Sequence, residues 1–235
     1  MKLRALKRQQ IWRVGYVPEP WSWPDWRWAG TSGRFSGRWD ALDAGLYRTL
    51  YVGDSLLACL VEVLAPFRPD PTLNHELDAI VDNDEESQMG AQPGVLDLDA
   101  WLAPRQASTA QLTGTFCDVT DAETIASLFS RFKPRAATYG LPDFDAAALK
   151  TAEPRLLTQE VSQYLWEAKT ESGTDLCDGI EFRSRHGDNF TLWAIYERPG
   201  DPEITPHVTD LQTVGLNRET PELQSATHLL GITLH

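Results

Sequence analysis

The sequence predicts an α+β protein with one core, a mixed or antiparallel sheet flanked by helices. Short aromatic and β-branched runs, among them Leu50 to Gly53, Gly179 to Ser184 and Phe190 to Tyr196, have the composition of strands. Between them stand segments with apolar residues at three- and four-residue intervals, clearest from Pro154 to Thr170, which is the period of a helix. The 235 residues, 42% of them hydrophobic and 9 of them Trp, suffice for one substantial core or at most two small ones. No internal repeat or low-complexity tract divides them.

Met1 to Gln10 reads as a short basic segment outside a domain that spans residues 11–235 and opens with a strand over Ile11 to Tyr16. Pro18, Pro20 and Pro24 forbid regular helix in the next stretch, while Trp21, Trp23, Trp26 and Trp28 demand burial or a ligand. That stretch is therefore a packed loop over one end of the core. Gly33-Arg34-Phe35 and Gly37-Arg38-Trp39 repeat one tripeptide, in which glycine permits a tight turn and the guanidinium meets an anion. Leu50 to Gly53 is a strand, and Asp54 or Ser55 caps the helix after it. From Leu56 to Val63 that helix is apolar on nearly every face, so it is covered on more than one side. Only Glu62 breaks the run. A carboxylate there must be paired, hydrogen-bonded or protonated. Two readings stand: Glu62 reaches the rim or Arg68, or it faces a cleft with a cation of the Gly37 loop and the ring of Tyr51.

Beyond Pro66 the pattern predicts a short helix over Leu73 to Val81, a mobile acidic loop over residues 82–93, and a short helix after Asp97. A strand over Leu112 to Val119 precedes a helix over Ala122 to Phe132, with Ile125, Leu128, Phe129 and Phe132 along one side. Pro134 to Pro142 is a linker, and Phe144 to Leu149 a short helix. In the helix from Pro154 the stripe Leu157, Val161, Tyr164, Leu165 and Ala168 packs on the sheet, which leaves Gln159 and Ser162 to solvent. Gly179 to Ser184 and Phe190 to Tyr196 form an antiparallel hairpin reversed by Gly187 and Asp188. Ser184 shares the face of Ile180 and Phe182, where its hydroxyl needs a partner. Asn189 either holds the turn or meets a ligand. A strand near Ile204 to Val208, a helix over Pro221 to Leu230 and a last strand over Gly231 to Leu234 end the chain.

The charge excludes some functions. With 34 acidic against 21 basic residues and a net charge of -13, the surface repels polyanions, so no nucleic-acid partner is expected. A small anionic metabolite is compatible with it, because a few arginines in one cleft outweigh the global sign locally. Cys59, Cys117 and Cys177 are too few and too scattered for a disulfide framework, and no Cys and His spacing suits a metal. No stretch reads as a membrane span or signal peptide, so a soluble, cytoplasmic protein is expected. There is no Rossmann GxGxxG and no Walker P-loop.

The run GRWD, then RTLYVGDSLLACLVEVLAPFRP, and later CDGIEFRSR followed by NFTLWAIYE, resembles the RES family, named for an arginine, a glutamate and a serine. The likeness extends from about Ile11 to the C-terminus. It implies a fold similar to diphtheria-toxin-like ADP-ribosyltransferases, and degradation of NAD by hydrolysis or phosphorolysis, often as the toxin of a toxin-antitoxin pair. The family's glutamate falls on Glu62 and its serine on Ser184, beside Arg185. Its Gly-Arg element fits Arg38 better than Arg34, because Asp40 follows and the interval to Tyr51 is nearer the family's.

The implied roles are a catalytic Glu62 that stabilises positive charge on the ribose, Arg38 on the pyrophosphate, Tyr51 against nicotinamide and Ser184 on ribose or phosphate. Arg185 and Asn189 join the nucleotide-binding set. NAD is then substrate, with no permanent cofactor and no metal. Water or inorganic phosphate is the acceptor, and Arg13, Arg105 and Arg185 are candidates for a second anion subsite. The resemblance implies a cognate antitoxin as partner, or a branch of the family without one, and the surplus of aromatic residues points to a homodimer. Mono-ADP-ribosylation of a protein, and nucleotide binding without catalysis, are the alternative functions.

Overall fold

The computed structural model describes residues 1–69, 94–151 and 153–235. The helix expected over Leu73 to Val81 and the acidic loop over 82–93 lie outside the described residues. The remainder is a single mixed α+β domain. Strand β1 (Leu3–Tyr16) runs antiparallel along the whole of β4 (Arg105–Asp118). Two strands share the other edge of β4. β7 (Val208–Val214) pairs antiparallel with its first part, and β5 (Gly179–Ser184) pairs parallel with Phe116 to Asp118. From β5 the sheet continues antiparallel through β6 (Gly187–Tyr196) to β2 (Thr49–Gly53). β2 then meets β1 where Gly53 faces Trp12, so the strands close on themselves with β7 outside the ring. β3 (Val95–Leu96) and β8 (Thr233–Leu234) form a separate parallel pair.

Alternation along the strands divides the buried side chains into two clusters. Ile11, Leu50, Val52, Leu112, Trp193 and Ile195, from β1, β2, β4 and β6, form one, closed by Trp21 and Trp23. The opposite faces of the same strands pack against α1 (Leu56–Leu64), α2 (Leu98–Leu102), α3 (Ala122–Thr138), α4 (Ala146–Lys150), α5 (Leu156–Glu167) and α6 (Pro221–Leu230). In β2 this sends Leu50 and Val52 to the aromatic cluster and leaves Tyr51 on the helix side. α1 starts where Ser55 Oγ accepts from the Ala58 amide, and six of its nine residues are buried. Among the described residues no helix is long and apolar enough to cross a membrane.

Several expectations are corrected. The basic segment 1–10 is not an appendage, because residues 3–10 are the first part of β1. Arg4 is anchored there by Asp118 (3.2 Å) and Glu181 (3.4 Å). An exposed strand that gains its stability from one neighbour's ladder carries no apolar alternation, so pattern alone stops at Ile11. α3 runs through Pro134, where a linker was expected, and its buried stripe is Thr124, Leu128, Phe132 and Ala136, with Phe129 exposed. α5 is shorter at both ends than the expected helix, and both Gln159 (3% exposed) and Ser162 (0%) are buried. The late strand is β7, from Val208, and Ile204 makes only a bridge to Ser22. The hairpin reverses at Arg185 and His186, since Ser184 already pairs with Gly187.

The tryptophan loop splits by role. Trp21 Nε1 donates to Ser108 Oγ (2.6 Å) and Trp23 Nε1 to the Pro202 carbonyl (3.0 Å), both from within the core, whereas Trp28 is 70% exposed. Trp21→Ala is therefore expected to lower stability by about 3–5 kcal/mol. Trp28→Ala is expected to change it by less than about 0.5 kcal/mol. Urea titrations of the two variants make the check, and equal losses would show that the loop does not close the core through Trp21.

Candidate functional site

The site begins with the loop between the two Gly-Arg tripeptides and β2. Asp40 is buried, and its carboxylate accepts from the Gly37 amide (2.5 Å) and from the Tyr51 hydroxyl (3.0 Å). The same hydroxyl accepts from the Trp39 amide (2.9 Å). Burial pushes the Asp40 carboxyl up from its ordinary value and the Tyr51 phenol well above its own, with the Asp40 charge adding to the latter. Tyr51 is thus a neutral donor that fastens the loop to β2. Gly37 has to be glycine, because a β-carbon there would meet Asp40 Oδ2 and lie 2.6 Å from the Tyr51 hydroxyl.

Beside this loop lies a cavity of about 450 Å³, within the roughly 300–1,000 Å³ usual for small-molecule sites. Glu62 of α1 and Tyr51 of β2 line it, with the guanidinium-bearing residues Arg13, Arg38, Arg155 and Arg185. Glu62 lies there because α1 turns its one polar position toward the end of the β5–β6 hairpin. Ser184 Oγ donates to Glu62 Oε1 (2.5 Å) and accepts from the His186 amide (3.0 Å). Among the described residues no ion pair joins Glu62 to Arg68, so the rim pairing is not the arrangement adopted.

The cations are held differently. Arg13, from β1, donates through Nε to the Pro20 carbonyl (2.5 Å) and through Nη1 to the Tyr51 carbonyl (2.8 Å). Burial brings its pKa down to about 10, so it stays charged at neutral pH. Among the described residues it has no carboxylate partner. Burial also lowers the pKa of Arg38, which the Glu62 charge opposes. Arg155 donates to the Ser36 carbonyl and pairs with the exposed Glu153 (3.4 Å). His186 lies on the same wall, its imidazole held below the ordinary value chiefly by burial, with Glu62 acting in the opposite sense. Cys59 lines the cavity too, but burial pushes its thiol up to about 12 and it donates to the Trp12 carbonyl (3.0 Å), so it is no thiolate at neutral pH.

The structure brings Glu62, Arg38, Tyr51, Ser184 and Arg185 to one place. Asn189 is not among them, since it is an exposed residue of β6 outside the cavity lining. Arg34 lies outside it as well, and donates to Gln159 Oε1 (2.5 Å). Arg105 is not in the cavity lining, and its guanidinium lies over the rings of Tyr16 (5.0 Å) and Trp101 (4.8 Å). No tryptophan is in the lining. Arg155 and His186 were not singled out by the sequence. The signal for His186 was the hairpin register, which depends on the turn being Arg185 and His186 and not Gly187 and Asp188.

No family model and no curated protein matches the chain. One solved structure, the M. tuberculosis MbcT-MbcA toxin-antitoxin complex, is similar to 96% of this chain and 91% of that one, at 13% identity and a TM-score of 0.41. A likeness of that size carries no argument about this chain.

Gly37→Ala is expected to destabilise the protein by about 1–3 kcal/mol, because Asp40 or Tyr51 must give way. Gly215→Ala, where an added β-carbon meets nothing within 4 Å, serves as control at less than about 0.5 kcal/mol. Thermal melts of both decide it, and a Gly37 variant as stable as the control would mean that the loop is not tightly held.

Proposed function

We propose that the protein cleaves the bond between nicotinamide and ribose in NAD, transferring the ADP-ribosyl group to water or inorganic phosphate, as a toxin-like NAD-depleting enzyme. The observation that supports this best is the make-up of the cavity lining among the described residues: one carboxylate, Glu62, held by Ser184, together with four arginines. Such a lining suits a ligand with several negative charges and a localised positive one. NAD has both, in its pyrophosphate and its nicotinamide.

The chemistry asks little of the protein as an acid. The C1–N bond breaks with its electron pair leaving on nicotinamide, which departs neutral. The ribose carbon is left with oxocarbenium character and takes an oxygen from the acceptor, with a proton released when the acceptor is water. What accelerates this is a fixed negative charge that is worth more in the transition state than in the ground state. Glu62 is in that role, oriented by the Ser184 hydroxyl. Arg38 takes the pyrophosphate through charge-assisted bonds, and the Tyr51 ring forms the wall for the nicotinamide. Arg13 and Arg185 are the anion-binding groups left for an acceptor phosphate. An antitoxin that covers the cavity mouth belongs to the same proposal.

Glu62→Gln keeps the shape and an acceptor for Ser184 while removing the charge. Turnover of NAD is expected to fall by roughly 100-fold or more, about 3 kcal/mol of transition-state stabilisation, with folding and NAD binding retained. Single-turnover nicotinamide release beside a thermal melt measures this, and a rate within about threefold of the parent removes Glu62 from the mechanism. Arg38→Ala is expected to weaken NAD binding by roughly tenfold or more and Arg34→Ala by much less. The reverse order, read by calorimetric titration, would move the anion site to the first tripeptide.

A further inference from the structure

The loop that carries Arg38 turns several carbonyl groups toward α5, and the N-cap residue and one face of that helix meet them. Arg155 donates to the Ser36 carbonyl. Gln159 Nε2 donates to Phe35 O (3.3 Å) and Gly37 O (3.0 Å), and Ser162 Oγ to Trp39 O (2.5 Å). Positions 155, 159 and 162 are spaced by four and three residues, the spacing that returns to one side of a helix. Gln159 is the middle of this row and is 3% exposed. Its amide hydrogens go to the two carbonyls and its oxygen accepts from Arg34, so each side of the amide has a partner. Arg38, flanked by the carbonyls so held, makes no hydrogen bond or ion pair of its own among the described residues.

We infer that Gln159 is a positioning residue for the anion site: by clamping the carbonyls of Phe35 and Gly37 it holds the Arg38 guanidinium in the cavity that Glu62 also lines. The inference rests on the reading that Arg38 binds the dinucleotide pyrophosphate. A side chain of matched shape cannot replace it. Leucine offers no donors, and glutamate keeps the acceptor for Arg34 but turns a negative oxygen toward two carbonyls.

The test uses the full chain as parent, Gln159→Leu, Gln159→Glu, Arg38→Ala and the Gln159→Leu/Arg38→Ala double variant. Amide exchange, which needs no ligand, comes first: in both Gln159 variants the amides of Gly37 and Trp39 are expected to exchange at least tenfold faster, with β5 and β6 unchanged. Exchange at the parent's rate overturns the inference, whether or not the protein acts on NAD. ADP-ribose, which carries the pyrophosphate but no cleavable nicotinamide, is then titrated by calorimetry. Gln159→Leu is expected to weaken it by roughly tenfold, and the double variant to be no weaker than Arg38→Ala within about twofold, because the glutamine acts through the arginine. Losses that multiply would show that it does not, and would overturn the inference. In turnover the Gln159→Leu defect should fall on KM. If only the Glu variant folds, the same three readouts apply to it. A parent that binds ADP-ribose but leaves NAD intact refutes the cleavage reading alone, and a parent that binds neither refutes the pyrophosphate reading while exchange still judges the clamp.

Discussion

A loop that enters a protein interior must find a partner for each amide and carbonyl it brings, since a buried unpaired group costs about 1–3 kcal/mol. The segment from Arg34 to Asp40 is held from two sides. Asp40 and the Tyr51 hydroxyl take the amides of Gly37 and Trp39, and Gln159 and Ser162 supply donors for the carbonyls of Phe35, Gly37 and Trp39. Ser162 is in turn held by the hydroxyls of Tyr47 (2.9 Å) and Tyr196 (3.1 Å). Arg38 stands between Gly37 and Trp39, both held by this network.

The ring of strands explains why the cavity forms where it does. Along β2, Leu50 and Val52 are committed to the aromatic cluster with Trp21 and Trp23, so Tyr51 can only face the helices. Along β5, Ile180 and Phe182 point the same way and carry Ser184 with them. Phe182 closes against Trp39 (ring centroids 5.6 Å apart), which ties the hairpin to the loop. Between them α1 presents Glu62. The neighbouring elements β2 and α1 thereby meet the distant β5 at one cavity.

The electrostatics of the chain run in two directions at once. A surface that carries a net charge of -13 lies over a cavity whose lining has a surplus of guanidinium groups. Local fields decide binding at short range, because screening in water confines the surface charge to about 8–10 Å. Arg13, fixed by backbone carbonyls and without a carboxylate partner among the described residues, keeps its charge for whatever anion enters.

From the sequence alone came the α+β class, β2, α1 with a cap at Asp54 or Ser55, the β5–β6 hairpin and the exception of Glu62 in an apolar helix, each a local feature such as a period or a cap. The preference for Arg38 over Arg34 came from the family resemblance. The first part of β1, the extension of α3 through Pro134, the burial of Gln159 and Ser162, the withdrawal of Asn189 and Arg105 from the site, and the entry of Arg155 and His186 were decided only in three dimensions. Pattern reading assigns a polar residue off the apolar stripe to water. Here the partner of Gln159 is the backbone of residues more than a hundred positions away, and a hydrogen bond to backbone leaves no mark on the sequence of the segment that accepts it. Periodicity therefore reports which faces are apolar, and only tertiary structure reports which buried polar groups have found each other.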